Sequence, residues 1–386
     1  MEITEATRQR LNRPLSVTIV AVALFGVFVV ARLATLGWDE SRFVLAGEGL
    51  SDPDRVPAGL YVLRGSTGYD GQQFYRLALD PLTHKKVDRG IALDTPSYRQ
   101  QRIAYPGLAW LASGGGRPAN LSWALILINI IAIGVVGWVG GALAITLGRH
   151  AMWGSVFAFY PGFIVSVGRD LAEPLAAAFM LTGLLLVRRS RSTWAALALS
   201  AAILARETTA IVPLGLAMAW ILTKFRSRSG ARPAREFIVP LGVFASWQLF
   251  LYARWKSLPF LSNKNATDLP FAGLGNQMRR YVSDHAYLAL IEVALIAILF
   301  AAVLIAFRSD RVRSHERWAF LAAAAGATLL SASVWFDHAH YLRALTEFYL
   351  VGSLILLAGM RANLMRLVLP VSLLWLTLFA YFARNL

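Results

Sequence analysis

The chain has 386 residues, 57% of them hydrophobic and 16% charged, with a mean hydropathy of +0.53. Soluble chains run at about 45–50% apolar and about 25% charged, so these proportions exclude a soluble enzyme and predict one polytopic membrane domain over residues 1–386. The net charge is +16 and there is no cysteine: basic residues collecting in short cytoplasmic loops account for the charge without nucleic acid as a partner, and disulfides, thiolate metal sites and cysteine nucleophiles are excluded.

Arg8, Arg10 and Arg13 precede an apolar run from Leu15 to Leu36. That run is longer than a signal-peptide core and no small-x-small cleavage site follows it before Trp38, so it is expected to stay as a signal anchor. A long loop, residues 38–119, comes next. Further apolar segments run from Asn120 to Leu147, Ala151 to Val167, Leu171 to Val187, Trp194 to Ala205, Ala210 to Thr223, Phe237 to Ala253, Tyr287 to Phe307, Trp318 to Trp335, Leu345 to Met360 and Leu367 to Phe382. The expectation is an all-α polytopic membrane protein with about eleven passes. Trp194 to Ala205 and Ala210 to Thr223 fall short of the roughly 20 residues of a perpendicular span and read as short helices or a re-entrant pair around Arg206-Glu207.

With a cytoplasmic amino terminus, eighteen basic residues fall in inner segments and four, Arg169, Arg206, Arg343 and Arg384, in short outer ones. That bias sets the expected orientation in a plasma membrane, and the abundance of Arg and Ala points to a bacterial one. The long loops 38–119 and 255–286 then lie outside, where an extracytoplasmic site would be built.

The same topology gathers Asp70, Asp170, Glu173, Arg206, Glu207, Asp337, His338, His340 and Arg343 on the outer face. Ionisable residues at a membrane boundary are costly to place there and mark candidate sites. Asp70, Gln73, Phe74, Leu77, Ala78 and Pro81 fit a short amphipathic helix on the membrane surface, with Asp70 either its cap or a catalytic carboxylate. Gly68 and Gly71 permit close backbone approach beside it, and Phe74 and Tyr75 could line a lipid or sugar. Asp170 and Glu173 are spaced as in a capping box, or as second acidic members of the site. Asp337 to Arg343 reads either as a polar turn or as a phosphate site using Arg343 with His338 or His340. Arg206 is a similar phosphate candidate, the alternative being a local pair with Glu207. Tyr105-Pro106-Gly107, after Arg102, reads as a bend returning the loop to the membrane. No Walker loop, H-E-x-x-H or G-x-S-x-G motif is present, so an activated substrate should arrive through the membrane.

On these residues the chain resembles the GT-C glycosyltransferases, especially the mannosyltransferase branch of the PIG-V-like enzymes and protein O-mannosyltransferases. The resemblance rests on Asp70 in Tyr-Asp-Gly-Gln-Gln-Phe-Tyr, on Arg102, Tyr105 and Pro106, on Asp170 with Glu173, and on Arg206 and Arg343; the chain departs from that pattern in lacking an acidic doublet in the first loop. It implies a GT-C-like fold whose first extracytoplasmic loop carries juxtamembrane helices, and transfer of mannose or another sugar from a polyprenyl-phosphate donor to a glycan, glycolipid or protein acceptor. It further implies Asp70, Asp170 and Glu173 as catalytic acids, Arg206, Arg343, His338 and His340 around the donor phosphate, and Gln73, Phe74, Tyr75, Arg102 and Tyr105 lining the substrate. No cofactor is required on this reading, a divalent cation being the less favoured variant and no metal ligands being assigned. A lipid-linked glycan flippase, and an O-antigen-type polymerase or membrane acyltransferase, are the alternatives.

Overall fold

A computed structural model describes residues 9, 11–227, 235–262 and 266–359. Helix α1 (Pro14–Thr35) leads into loop 36–117, which holds α2 (Gly71–Leu79), α3 (Pro96–Gln100) and α4 (Ala104–Ala112), before α5 (Pro118–Thr146) returns through the bundle. Glycine sets the contact between α1 and α5. A Cβ on Gly137 would lie 3.2 Å from Thr18 Cα and one on Gly141 2.8 Å from Pro14 Cα, so the two backbones touch. Helices in an apolar solvent associate through such close packing rather than through a hydrophobic drive.

After α5 the chain does not cross again as one helix. Segment 151–167 is a 3₁₀ turn (Ala151–Gly154) followed by α6 (Ser155–Ala158) and α7 (Gly162–Val167). Pro161 separates the two helices, and a Cβ on Gly162 would meet the Leu342 carbonyl oxygen at 2.8 Å. The expected pass from Ala151 to Val167 is thus broken by Tyr160-Pro161-Gly162. Helices α8 (Glu173–Arg188), α9 (Ser192–Ala205), α10 (Ile211–Ser227) and α11 (Arg235–Trp255) then pack as neighbours. The turn Arg206–Ala210 between α9 and α10 is tied to the first loop through Arg102 and Glu207, but the expected pair of short helices is only half met: α9 is short, whereas Glu207–Phe225 is long and apolar enough to span.

The second long loop carries α12 (Pro259–Ser262) and α13 (Ala272–Ser283), and α14 (Tyr287–Ala306), α15 (Ser314–Thr328), α16 (Ala332–Trp335), α17 (His338–Ala344) and α18 (Thr346–Gly359) follow. The expected pass from Trp318 to Trp335 ends at Thr328, because the chain beyond it is stitched to the loop: Phe271 N donates to Thr328 O at 2.7 Å, Asp268 N to Leu329 O at 2.8 Å and Ser331 N to Ala266 O at 3.1 Å. Helices α17 and α18 meet at a 55° bend. The pass from Leu367 to Phe382 lies outside the described residues.

Among the described residues five helices are long and apolar enough to cross a membrane (Pro14–Thr35, Pro118–Thr146, Glu207–Phe225, Arg235–Trp255 and Tyr287–Ala306), or six if the bent pair α17–α18 is one span. Ile19, Val27 and Val30 of α1 and Ile291, Ile298 and Ile305 of α14 point outward and are exposed, the pattern of helices solvated by lipid. The apolar core lies between α5, α8 and α18. The described residues form a mostly helical, membrane-type bundle, with two short two-stranded ladders (Ala46–Gly47 with Val62–Leu63, and Val87–Asp88 with Ile91–Ala92) in the first loop.

Both loops sit on one end of it. Trp255 Nε1 donates to Gln100 Oε1 at 2.6 Å and Trp247 Nε1 to the Gln101 carbonyl at 3.2 Å, tying α11 to the first loop. Helix α2 is not the surface helix its pattern predicts, since all nine of its residues are buried. Its apolar side packs on α4 and α5. Its polar side is enclosed by loop backbone: Gln72 Oε1 accepts from Gly47 N and Ser51 Oγ, and Gln73 Nε2 donates to Ala92 O while its Oε1 accepts from Asp94 N. Buried amides need such partners, and supplying them fixes the loop around the helix. At the opposite end, Arg188 at the close of α8 makes a two-pronged pair with Glu316 of α15, both bonds 2.7 Å.

Candidate active site

Asp70 sits where glycine dictates the path of the chain. Gly68 has φ +71°, and a Cβ on Gly71 would lie 2.4 Å from the Arg169 carbonyl oxygen and 2.5 Å from that of Val44. Only glycine fits such an approach. Asp70 occupies the N-cap position of α2 but makes no side-chain capping bond. Its Oδ1 instead accepts from Arg99 Nη1 at 2.8 Å and its Oδ2 from Arg343 Nη2 at 3.0 Å. Burial raises the affinity of this carboxyl for a proton, but the guanidinium groups of Arg99, Arg343 and Arg102 outweigh it and hold Asp70 well below the usual carboxylate range.

Each arginine has further anchors. Arg343 Nε donates to Glu173 Oε1 at 2.9 Å and Nη1 to the Tyr69 hydroxyl at 3.0 Å. Arg99 grips Asp94 through Nε at 2.8 Å and Nη2 at 2.6 Å. Arg102 pairs with Glu207 through two bonds of 2.8 and 2.7 Å, and Arg206 Nη1 reaches Glu347 Oε1 at 3.3 Å, where Thr208 Oγ1 also donates at 2.7 Å. Arg206 and Glu207 are therefore not a local pair. The extended backbone at Arg206 (φ −159°, ψ 121°) sends the two side chains to different partners.

A cavity of about 540 Å³ opens at this end, with Asp70, Arg99, Arg102, Arg206, Arg343 and His340 in its wall beside Glu207 and Glu347. Ala322, Ala323, Leu329, Leu330, Val334 and Phe348 supply an apolar side. Four guanidinium groups and three carboxylates, Asp70, Glu207 and Glu347, around one cavity can bind an anion and take up a proton. No family model matches this chain, and no curated protein matches it either.

Of the residues singled out from sequence, Asp70, Arg102, Arg206, His340 and Arg343 share the cavity wall, and Glu173 stands behind Arg343. His338 does not line it; its Nε2 lies 3.7 Å from Asp337, which caps α17 by accepting from Ala339 N at 3.1 Å. Asp337 to Arg343 is thus a capped helix rather than a polar turn, with Tyr341 fully buried, and the Asp337 carboxyl, raised by burial but lowered more by His340 and that N–H, rests at about 2.

Gln73, Phe74, Tyr75 and Tyr105 are not in the wall. Gln73 clamps loop backbone, as above. Phe74, Tyr75 and Tyr105 are core residues, Phe74 packing edge-on against Tyr105 at 5.3 Å. The Tyr105 hydroxyl donates to Leu125 O and accepts from Asn129 Nδ2, and Tyr105-Pro106-Gly107 begins α4 rather than bending the loop. Asp170 and Glu173 form no capping box, Ala172 being the N-cap of α8 with no side-chain bond. Asp170 is fully buried in the left-handed region (φ 49°), lies away from the cavity wall, and neither of its oxygens accepts a hydrogen bond. Burial pushes its carboxyl well above the ordinary range against the pull of Arg32.

Sequence reading passed over Arg99, Glu347 and the Arg102–Glu207 pairing. Arg99 carried one usable signal: it stands three residues before Arg102, which places both on one face of a helical turn. Among the described residues no three His, Asp or Glu side chains form a group that could hold a metal ion.

Proposed function

We propose that the protein is a membrane glycosyltransferase of the GT-C kind, moving a sugar from a polyprenyl-phosphate donor to an extracytoplasmic glycan, lipid or protein acceptor with inversion at the anomeric carbon. The observation that carries this reading is Asp70 set among Arg99, Arg102, Arg206 and Arg343 in one cavity beside an apolar wall. The arginines supply donors for a phosphate and offset the charge that grows on it as it departs. An acceptor hydroxyl attacks the anomeric carbon, the bond from that carbon to the phosphate oxygen breaks, Asp70 takes the hydroxyl proton and polyprenyl phosphate leaves. Phosphate is a good leaving group, so no general acid is needed.

An apolar groove on the other side of α17–α18, lined by Tyr160, Leu295, Ile296, Leu345 and Phe348, shares Phe348 with the cavity and suits a prenyl chain. The 55° bend between α17 and α18 is the one feature that favours a lipid-linked glycan transporter instead. The test is release and transfer of label from a panel of polyprenyl-phosphate sugars by purified protein with lipid and wall-fragment acceptors. Transfer by the wild type, unchanged by EDTA, supports the enzyme; movement of intact donor across a vesicle bilayer without transfer overturns it.

A further inference from the structure

Asp70 is engaged by both of its arginines in a particular way. Arg99 spends Nε and Nη2 on Asp94 and Arg343 spends Nε and Nη1 on Glu173 and Tyr69, which leaves one nitrogen of each, Arg99 Nη1 and Arg343 Nη2, to Asp70. Removing the Asp70 carboxylate would leave both guanidinium groups anchored in place, with two donors facing the same point of the cavity. The Tyr69 ring holds the arrangement from beneath: the Arg343 guanidinium lies 5.2 Å from its centroid and that of Arg169 4.2 Å. Two fixed donors a carboxylate's width apart also match two oxygens of a phosphate, which binds arginine in the same forked manner. While both arginines hold it, Asp70 is a weak base toward an alcohol, because each of its oxygens already shares its charge with a guanidinium group.

We infer that a phosphate group entering the cavity replaces the Asp70 carboxylate between Arg99 and Arg343, so that the anion which binds also frees the base. Arg99 is then the residue that positions Asp70 before binding and contacts the phosphate after it. The inference rests on the reading of Asp70 as the base, but phosphate exchange at the two arginines is measurable without any sugar transfer.

The probe is decaprenyl phosphate in mixed micelles, with inorganic phosphate in parallel, and the readout is the dissociation constant for wild type and for variants whose thermal unfolding shows them folded. Asp70→Asn removes the competing charge and should bind decaprenyl phosphate about tenfold more tightly, while Arg99→Gln should bind it about tenfold more weakly and Arg99→Lys recover part of the loss. The same ordering with inorganic phosphate assigns the effect to the phosphate group itself; ordering with the lipid alone assigns it to the headgroup presented from the bilayer. Unchanged or weaker binding by Asp70→Asn overturns the exchange. A measurement on the wild type guards against a variant that misfolds: water-soluble carbodiimide labelling of Asp70, mapped by mass spectrometry, should rise when decaprenyl phosphate is added, and no rise overturns the exchange. If binding and labelling behave as stated but no donor sugar is transferred, the exchange stands and the transferase reading falls. Transfer without tighter binding by Asp70→Asn gives the reverse.

Discussion

Asp70, partly exposed in the cavity wall, and Asp170, fully buried, both lie near the loop end of the bundle, and their surroundings push them in opposite directions. Asp70 faces three guanidinium groups and stays ionised, whereas Asp170 is enclosed with both oxygens unsatisfied and favours its neutral form. The sign of each pH effect follows. A carboxyl whose folded pKa is depressed, as at Asp70, contributes stability at neutral pH that is lost as pH falls below the unfolded value of about 4, whereas one whose folded pKa is raised, as at Asp170, costs stability as pH rises above that value. Asp170→Asn should therefore raise the melting temperature at pH 7, by a margin that shrinks toward pH 4, as thermal unfolding across that range would reveal. Gly71→Ala should act in the other direction. Its new methyl meets two carbonyl oxygens, so a loss of about 1–3 kcal/mol is expected, together with a displaced Asp70 and lost ligand binding. Wild-type stability in that variant would show that the loop yields and that the tight seat of Asp70 is not enforced by glycine.

At the scale of elements, α8 joins the two ends of the molecule. Its first residue, Glu173, holds Arg343 at the cavity, and its last, Arg188, is locked to Glu316, while Arg313 donates to the carbonyls of Val187 and Arg188 at 3.2 and 3.1 Å and satisfies the end of the helix. Removing Arg188 takes away the guanidinium that pairs with buried Glu316 and leaves its carboxylate only the Arg313 N–H, so Arg188→Ala should lower stability by about 3–5 kcal/mol, read from denaturant unfolding in detergent. A loss below about 1 kcal/mol would place that end of α8 in contact with water.

The elements also show what a single sequence encodes. Long apolar helices such as α5 and α14 are plain in composition, because runs of twenty or more predominantly apolar residues have few other uses. The breaks at Pro161 and after Thr328 are less so. The first needs the close approach of Leu342 to Gly162, and the second needs bonds from residues 266–271, partners far along the chain that local pattern does not name. Alternation of the chain places Asp70, Glu173, Arg206 and Arg343 at one end, and in the structure they meet. The pairing of Arg102 with Glu207 and of Arg206 with Glu347 was illegible because adjacent charges in sequence part company at an extended residue. Phe74 and Tyr75 read as a binding surface because a short amphipathic pattern reveals an apolar face but not that α4 and α5 cover it while loop backbone closes over the polar one, and Tyr105 joins them only through the family resemblance.

For the whole molecule, the cavity and both long loops occupy one end and the Arg188–Glu316 lock the other. Basic residues 308, 311, 313 and 317 cluster near that lock, so the positive-inside bias predicts that it faces the cytoplasm. The native chain has no cysteine, which makes it a ready background for thiol labelling. Arg64→Cys on the first loop should react with a membrane-impermeant maleimide in intact cells, and Asp310→Cys only after permeabilisation. Labelling of both from outside, or the reverse pattern, would contradict the orientation.

The role proposed for Asp70 is to take the acceptor's proton in a transfer from a lipid-phosphate donor. Its most direct test compares the turnover of Asp70→Asn and Asp170→Asn with wild type, using whichever polyprenyl-phosphate sugar the wild type accepts. Asp70→Asn should lose about 10²–10⁴ in turnover while retaining the lipid phosphate more tightly, and Asp170→Asn should turn over close to wild type. Full activity in a folded Asp70→Asn protein, or an equal loss in both variants, would contradict it.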